Sequence, residues 1–296
     1  MATNLAPDSS SVTAGHAAVP ATGEVVIEAG RTEANYWRDL WRYRDLFYFL
    51  AWRDLLVRYK QTLFGVLWAV LRPFLTMVIF VVIFKRVAGL PSGAAPYPIL
   101  VLGGMLPWQF FAGALSESSN SLVANANLIT KIYFPRIILP ASSVIVAMVD
   151  FVITLVMLGL VMAWYAYVPP VRIVLLPLFV ILGLVAALGP GLLATALNVK
   201  YRDFRFVIPF LVQFGLYVSP VGFSSEVIEA KLGPVARMLY ALNPMVGVID
   251  GFRWCLGAEP TLHVAALAVS IVMSLILMWV GVSFFRRTEK GFADVI

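Results

Sequence analysis

Six apolar runs, separated by short polar segments, dominate the pattern of this chain of 296 residues. A helix rises about 1.5 Å per residue, so about 20 apolar residues cross a hydrocarbon core of roughly 30 Å. Because hydrocarbon offers no hydrogen bonds to an open backbone, each run is expected to be helical. The pattern therefore predicts an all-α membrane protein with six transmembrane helices. The predicted crossings are residues 64–84, 97–114, 137–167, 173–197, 206–221 and 262–285, within a transmembrane domain of residues 61–289.

An amphipathic segment precedes the first crossing. Residues 31–60 place Trp41, Tyr48 and Trp52 on one helical face and charged side chains mostly on the other. An aromatic-rich, basic helix of this kind lies in the membrane interface. The alternative is a helix packed on a soluble partner, and different faces of one helix can do both. We expect the two ends of the chain, residues 1–30 and 290–296, to be cytoplasmic tails, the first of them disordered.

The stretch of residues 222–260 alternates polar breaks with apolar patches. The patches at residues 238–242 and 245–256 are too short to cross a membrane and too apolar for open solvent. Such segments are tolerated at membrane depth only where protein or a cavity receives them. We therefore predict external re-entrant helices in this stretch.

The first apolar run contains one charged residue, Arg72, which is followed by Pro73. A charged side chain in hydrocarbon is costly and marks a functional position, and proline favours a kink in the helix. We expect Arg72 to face inward and to be accessible to water. A planar guanidinium there is suited to gripping a diphosphate. The alternative is that Arg72 caps neighbouring carbonyls or pairs with an interfacial acid such as Asp54.

Composition supports the membrane class. Hydrophobic residues make up 61% of the chain and charged residues 13%, whereas soluble domains have about 25% charged residues. The net charge of +6 comes from basic residues at the ends of apolar runs, which indicates membrane orientation and not nucleic-acid binding. Six crossings put fifteen Lys and Arg residues on the side of both termini and six on the other, so both termini are predicted to be cytoplasmic.

Signals for catalysis or cofactors are weak. A single Cys255 and two distant histidines predict no disulfide, no metal site and no cofactor. The chain lacks the G-x-x-x-x-G-K-[ST] loop that binds ATP phosphates. The match of Gly189 to Ala194 to G-x-G-x-x-A falls inside an apolar run without a preceding strand, so it does not indicate a dinucleotide site. Asp150, at membrane depth, is either a proton relay or an interhelical hydrogen-bond partner.

Five stretches of the chain resemble corresponding stretches of one protein family and occur in the same order as in that family. They are RYKQTLFGVLWAVLRPFLTM from residue 58, GGMLPWQFF from 103, NSLVANANLITKIYFPRIILP from 120, ALNVKYRDFRFVIPFLVQ from 196 and ALNPMVGVIDGFRW from 241. The chain resembles the ABC-2 type polysaccharide export permeases, and within them the O-antigen (lipopolysaccharide) export permeases. The resemblance implies a non-enzymatic homodimer in the bacterial inner membrane, docked on two ATP-binding subunits. It also implies a substrate polymer carried on a polyprenyl diphosphate lipid.

Three groups of site residues follow from the patterns and the resemblance. Aromatic rings can stack on sugars, although packing against lipid or protein is the alternative for each ring. The predicted substrate path contains Trp68, Arg72, Phe74 and Tyr217. The predicted contact with the ATPase contains Asn120, Asn125, Asn127, Leu128, Ile129 and Lys131. The predicted exit gate, in a re-entrant helical pair at Met238–Gly257, contains Asn243, Pro244, Phe252 and Trp254.

Other functions remain as alternatives. A membrane-embedded transferase for polyprenyl-linked sugars would use loop carboxylates, but Glu226, Glu229, Asp250 and Glu259 are scattered in the sequence and lack nearby basic clamps. An ABC-2 exporter of capsule, teichoic acid, lipid or drug would share the fold. A proton-coupled carrier is disfavoured because no repeat of two halves is visible.

Overall fold

A computed structural model describes residues 36–60, 65–89 and 95–292 of the chain. This part of the chain forms helices joined by turns and contains no strand, which confirms the all-α prediction. The predicted tail at residues 1–30 lies outside the described residues. The α-helices in the described ranges are α1 (Tyr36–Arg42), α2 (Arg44–Lys60), α3 (Gly65–Phe80), α4 (Tyr97–Ala124), α5 (Ala126–Lys131), α6 (Ile138–Trp164), α7 (Leu176–Lys200), α8 (Phe204–Val218), α9 (Glu226–Leu232), α10 (Pro234–Tyr240), α11 (Pro244–Leu256) and α12 (Val264–Thr288).

Five helices of the described chain are long and apolar enough to cross a membrane. They are α3 with its π-helical extension Val81–Val87, α4, α6, α7 with the 3₁₀ turn Val171–Leu175 before it, and α12. The shorter α8 has 15 residues, or about 22 Å of rise. The chain after α8 is tied to the start of α4, because the carbonyl oxygen of Gly222 accepts a hydrogen bond from the Tyr97 hydroxyl. That α8 and this segment together cross the membrane stays a prediction.

The helix of the second predicted crossing extends beyond that crossing. The crossing is predicted to end at residue 114, and α4 continues to Ala124 as one helix of 28 residues. Pro98 lies in the first helical turn, where no backbone N–H bond is lost. The other predicted crossings end within about three residues of the observed helical segments.

The polar residues after position 114 do not form a loop, because they make the contact between α4 and α7. The hydroxyls of Ser118 and Ser121 donate back to carbonyls three or four residues earlier in α4. Across the contact, Thr195 Oγ1 donates to the Ser118 carbonyl at 2.8 Å and Asn198 Nδ2 donates to the Ser119 carbonyl at 2.9 Å. These bonds satisfy polar groups that would be costly to bury unpaired.

The interior of the bundle is organised around α4. Within its most apolar window 72% of the residues are buried, against 11% in the window that contains α3. The main core joins α4 to α6, α7 and α11. The helix α3 therefore lies at the outside of the single chain, with an apolar face open to another molecule or to lipid.

Helices α7 and α12 approach each other through two glycines. A Cβ on Gly281 would lie 2.1 Å from the Gly189 carbonyl oxygen, and a Cβ on Gly189 would lie 2.5 Å from the backbone nitrogen of Met278. The match to G-x-G-x-x-A that begins at Gly189 therefore lies in α7, where Gly189 allows close packing against α12.

A second apolar cluster closes one end of the bundle. It contains Tyr36 of α1, Leu50 of α2, Ile129 of α5 and Phe285 of α12. The N-terminal helices, the segment between α4 and α6 and the C-terminal helix therefore share one end, as an even number of crossings requires. We call this cluster the end cluster.

The predicted interfacial segment forms the two helices α1 and α2. Leu50 faces the end cluster, whereas Trp41, Tyr48, Phe49 and Trp52 are largely exposed. These helices thus have exposed aromatic side chains, and their position in the membrane interface stays a prediction.

Candidate functional site

A cavity of about 610 Å³ lies among α2, α3, α4, α6 and α8. We call it the main cavity. Its lining is mixed, with aromatic rings, two guanidinium groups, two carboxylates and neutral polar groups. The residues that matter for its chemistry are Arg58, Tyr59, Trp68, Arg72, Gln109, Phe110, Glu117, Asp150, Phe151 and Thr154.

Arg58, near the end of α2, bridges two other helices at one side of the main cavity. Its Nη1 lies 2.7 Å from Glu117 Oε1 of α4, and its Nη2 lies 2.5 Å from Asp150 Oδ2 of α6. The Tyr59 hydroxyl donates to the other Asp150 oxygen. Asp150 is therefore an interhelical partner of α2, which matches one of the two predicted readings of this residue.

Arg72 occupies the α3 side of the same cavity. Its side chain is exposed, and within the described residues no carboxylate lies within ion-pair distance of its guanidinium. The predicted alternative partner, Asp54, is instead paired with Arg53 at 2.7 Å. The proposed Arg72–Asp54 pair is thus wrong, and the Arg72 guanidinium is available to a ligand.

Two of the four predicted path residues meet in the main cavity. Trp68 lines it one helical turn before Arg72. Phe74 and Tyr217 are exposed side chains outside the lining. Tyr217 belongs to an outward aromatic face of α8 that also contains Phe206, Phe210 and Phe214.

The predicted ATPase-contact residues lie at the end of α4 and on α5. Asn120, Asn127 and Lys131 are exposed. Asn125 is partly buried, because its amide donates to the Ser121 carbonyl and its oxygen accepts from Arg53.

The apolar members of this group turn inward. Ile129 has 6% of its surface exposed and is part of the end cluster, and Leu128 packs against that cluster. The side chain of Ile129 therefore packs inside this chain, so the apolar face predicted to meet a partner is mostly used for folding.

The predicted gate residues flank or form α11. Asn243 caps this helix by accepting from the Met245 N–H at 3.0 Å, and Pro244 is its first residue. Phe252 is fully buried, edge-on to Phe151 with ring centroids 5.9 Å apart. Trp254 lies under the Arg172 guanidinium at 5.1 Å.

A largely buried charged cluster in the stretch of residues 222–260 corrects the sequence analysis. The carboxylates of Glu229, Asp250 and Glu259 are not scattered in space, because Arg237 and Arg253 bring them together. Arg237 Nη1 lies 2.7 Å from Glu229 Oε2, and its Nη2 lies 3.6 Å from Asp250 Oδ2. Arg253 Nη1 lies 3.6 Å from Glu259 Oε1.

Arg253 is fully buried and ties α11 to two other backbone segments, α4 and the stretch after α8. It donates to the carbonyl oxygens of Leu100 at 3.0 Å, Phe223 at 2.6 Å and Val221 at 2.8 Å. One feature of the sequence could have indicated this charged cluster: Arg253 lies within the apolar helix α11, and a buried charge needs partners. Burial also raises the pKa of Glu259 to about 7 and raises the pKa of Asp250.

Comparison with known proteins decides the family. A sequence profile described as ABC-2 type transporter matches residues 45–256 of the chain. The chain is 30% identical to the O-antigen export system permease protein RfbA of Myxococcus xanthus over 266 residues, which cover 88% of this chain and 98% of that protein. The chain belongs to the ABC-2 type transporter family.

Further relatives of this ABC-2 chain carry names of polysaccharide transport. It is 29% identical to an O-antigen export system permease protein RfbA of Klebsiella pneumoniae over 255 residues, covering 85% of this chain and 95% of the relative. It is 23% identical to the polysialic acid transport protein KpsM of Escherichia coli over 245 residues, covering 81% and 92%. The profile match to the ABC-2 family, at residues 45–256, contains every residue named above for the main cavity and for the charged cluster except Glu259.

Proposed function

We propose that this ABC-2 chain is the permease subunit of an ATP-driven exporter that moves a lipid-linked polysaccharide of the O-antigen type across the bacterial inner membrane. The observation that carries the proposal is the main cavity, where the available Arg72 guanidinium and the Trp68 ring lie one turn apart. The names of the relatives from Myxococcus and Klebsiella support this cargo. The chain has no enzymatic role in the proposal, and ATP hydrolysis is assigned to a separate ATP-binding subunit.

The main cavity suits the two chemical parts of a polyprenyl diphosphate-linked sugar. The Arg72 guanidinium can bind phosphate oxygens with two parallel hydrogen bonds. The Trp68 ring offers an apolar face to a sugar, and Gln109 and Thr154 offer hydrogen bonds. Arg72 is thus assigned to the diphosphate and Trp68 to the first sugars.

The ATP-binding subunit is assigned to the end of the bundle that carries the end cluster. Exposed Asn127 and Lys131 of α5 lie there beside Ile132 and Tyr133, whose apolar surfaces are more than half exposed. A mixed surface of this kind suits docking to a soluble partner. The same end is assigned to the cytoplasm because fifteen of the basic residues are predicted on that side.

A second copy of the chain is assigned to the exposed faces of α3 and α8. Phe74 and Tyr217, which do not line the main cavity, lie on these faces. In a homodimer they would line a path between the two copies. The exit is assigned to the segment with α10 and α11, where Asn243 is hydrogen-bonded through its Nδ2 to Ser219 Oγ at 2.9 Å.

Reconstitution tests the proposal. The chain and its ATP-binding subunit would be placed together in vesicles that contain a polyprenyl diphosphate-linked O-polysaccharide. We expect ATP-dependent movement of the polymer across the bilayer and none without ATP. ATP hydrolysis without movement of the polymer would overturn the assigned cargo. The similarity to KpsM makes capsular polysaccharide the second candidate, to be tested in the same vesicles.

A further inference from the structure

A second cavity, of about 490 Å³, lies beneath α2 and against α4 and α6. We call it the side cavity. Its lining is partly apolar, and its polar side chains are drawn from three helices and include Arg53, Asp54, Asn120, Ser121, Asn125 and Ser143. These polar side chains can bind water or a charged headgroup.

The side cavity and the main cavity share one wall. Arg58 and Glu117 line both of them, and their charged groups are 2.7 Å apart. The contact of Arg58 with Asp150 at 2.5 Å extends this wall to α6. The bridge from Arg58 to the two carboxylates therefore stands between the two cavities.

The bridge is held by a helix whose two halves are anchored differently. The first half of α2 packs into the end cluster through Leu50, with Leu46 and Phe47 beside it. The second half is tied by polar contacts, at Arg53 and at Arg58. Apolar anchoring at one end and polar contacts at the other let the second half move while the first stays fixed.

The second half of α2 is also tied to the predicted ATPase contact. Arg53 Nη2 donates to Asn125 Oδ1 at 2.8 Å, and Asn125 lies at the junction of α4 and α5. A shift of the junction between α4 and α5 would therefore act on α2 at Arg53, which lies about one and a half helical turns before Arg58.

We propose that the bridge from Arg58 to Glu117 and Asp150 is a gate between the side cavity and the main cavity, which opens to pass an anionic, phosphate-bearing headgroup. This inference rests on the proposed function for the identity of the headgroup. The gate itself is defined by the two cavities and their common wall.

The chemistry of the bridge suits a gate. The side chains of Arg58, Glu117 and Asp150 are 39%, 46% and 29% exposed in the single chain, and ion pairs that are not fully buried are weak where water reaches them. Among the described residues of this wall one guanidinium faces two carboxylates, so the formal charge of these three groups is negative and repels phosphate. When the second half of α2 moves, Arg58 can exchange a carboxylate for a phosphate oxygen, which it binds with similar geometry.

Cysteine labelling tests the gate without knowledge of the cargo. Ser116 lines the main cavity only, and the native Cys255 is buried. Ser116→Cys would be introduced in the complex with the ATP-binding subunit. An anionic, membrane-impermeant thiosulfonate would be added from the cytoplasmic face. We expect Glu117→Ala with Asp150→Asn to speed labelling several-fold in the absence of nucleotide.

The matched control is Asp45→Ala, which removes the exposed Arg44–Asp45 pair at the start of the same helix. It should leave the labelling rate unchanged. If the double variant does not assemble, Glu117→Gln alone, which keeps the shape of the side chain, should still speed labelling. Unchanged labelling in an assembled variant would overturn the gate. Faster labelling in a complex that moves no polyprenyl-linked polymer would retain the gate and reject the proposed cargo.

Discussion

The guanidinium of Arg253 lies so close to Gly104 that a Cβ at that position would be 2.7 Å from its Nη2. The same Cβ would be 2.8 Å from the Val221 carbonyl oxygen, which Arg253 binds. Gly104 therefore leaves the space in α4 through which Arg253 of α11 reaches the chain after α8. One glycine and one arginine together fix the re-entrant stretch on the bundle.

We predict that Gly104→Ala destabilises the fold by about 1–3 kcal/mol, the usual range for overpacking. Both atoms that it would meet belong to a hydrogen bond and cannot move independently. The measurement is thermal unfolding of the purified protein in detergent. Gly159→Ala is the control, because nothing lies within 4 Å of a Cβ there. A melting temperature for Gly104→Ala as high as that of Gly159→Ala would contradict this account of the contact.

The buried carboxyl of Glu259 predicts a pH dependence of stability. Its pKa is raised from 4.5 to about 7, so the folded protein binds a proton more tightly than the unfolded chain does. The stabilisation from that proton is complete below about pH 4.5 and is lost as the pH rises through about 7. Asp250, whose pKa is also raised by burial, acts in the same direction.

The test is thermal unfolding of wild type and Glu259→Gln between pH 5 and 8. We expect the melting temperature of the wild type to fall as the pH rises and that of the variant to fall less, because glutamine does not titrate. Parallel curves for the two proteins would show that Glu259 keeps an ordinary pKa.

Arg72→Lys separates recognition of a diphosphate from a role in folding. Lysine keeps the positive charge but cannot form two parallel hydrogen bonds from a planar group. We expect ATP-driven polymer movement to fall about tenfold, with normal assembly and basal ATP hydrolysis. Arg44→Lys, a change at an exposed arginine of α2, is the control. Normal transport by Arg72→Lys would reject two-point binding of the diphosphate at this residue.

Charge placed at two neighbouring positions of α5 should have different consequences. Ile129→Asp puts a charge into the end cluster and should lower the yield of folded protein. Lys131→Glu changes an exposed side chain and should release the ATP-binding subunit while the chain stays folded. Co-purification and thermal unfolding measure the two effects. If the Lys131→Glu variant still retains the ATP-binding subunit, that subunit docks on a surface other than α5.

Labelling of exposed positions tests the proposed orientation. Val168 and Lys231 are exposed and should lie on the periplasmic side, whereas Lys131 should lie in the cytoplasm. Single cysteines at these positions, in a background without Cys255, would be treated with an impermeant reagent on intact cells. Reaction at residues 168 and 231 only is expected. Labelling of residue 131 in place of residue 231 would show that the chain has the opposite orientation in the membrane.

The sequence by itself determined the class of protein and the approximate positions of its long apolar helices. The length of an apolar run and the charges at its ends are local properties, and the thickness of the hydrocarbon core turns them directly into crossings. The lack of a phosphate-binding loop and the five resembling stretches also pointed to the family without any knowledge of packing. Arg72 stood out because a charge within an apolar run is visible in the sequence.

The tertiary structure decided which polar groups meet. Ser118 and Ser119 are polar residues in the sequence, yet they lie inside α4, where their carbonyls accept hydrogen bonds from Thr195 and Asn198 of α7. Arg58 finds its carboxylates 59 and 92 positions further along the chain, a separation that no periodicity encodes. Hydrophobic burial is set by each residue and its neighbours along the helix. A hydrogen bond or ion pair instead requires two specific groups within about 3 Å of each other, and only the packing of whole helices brings them there.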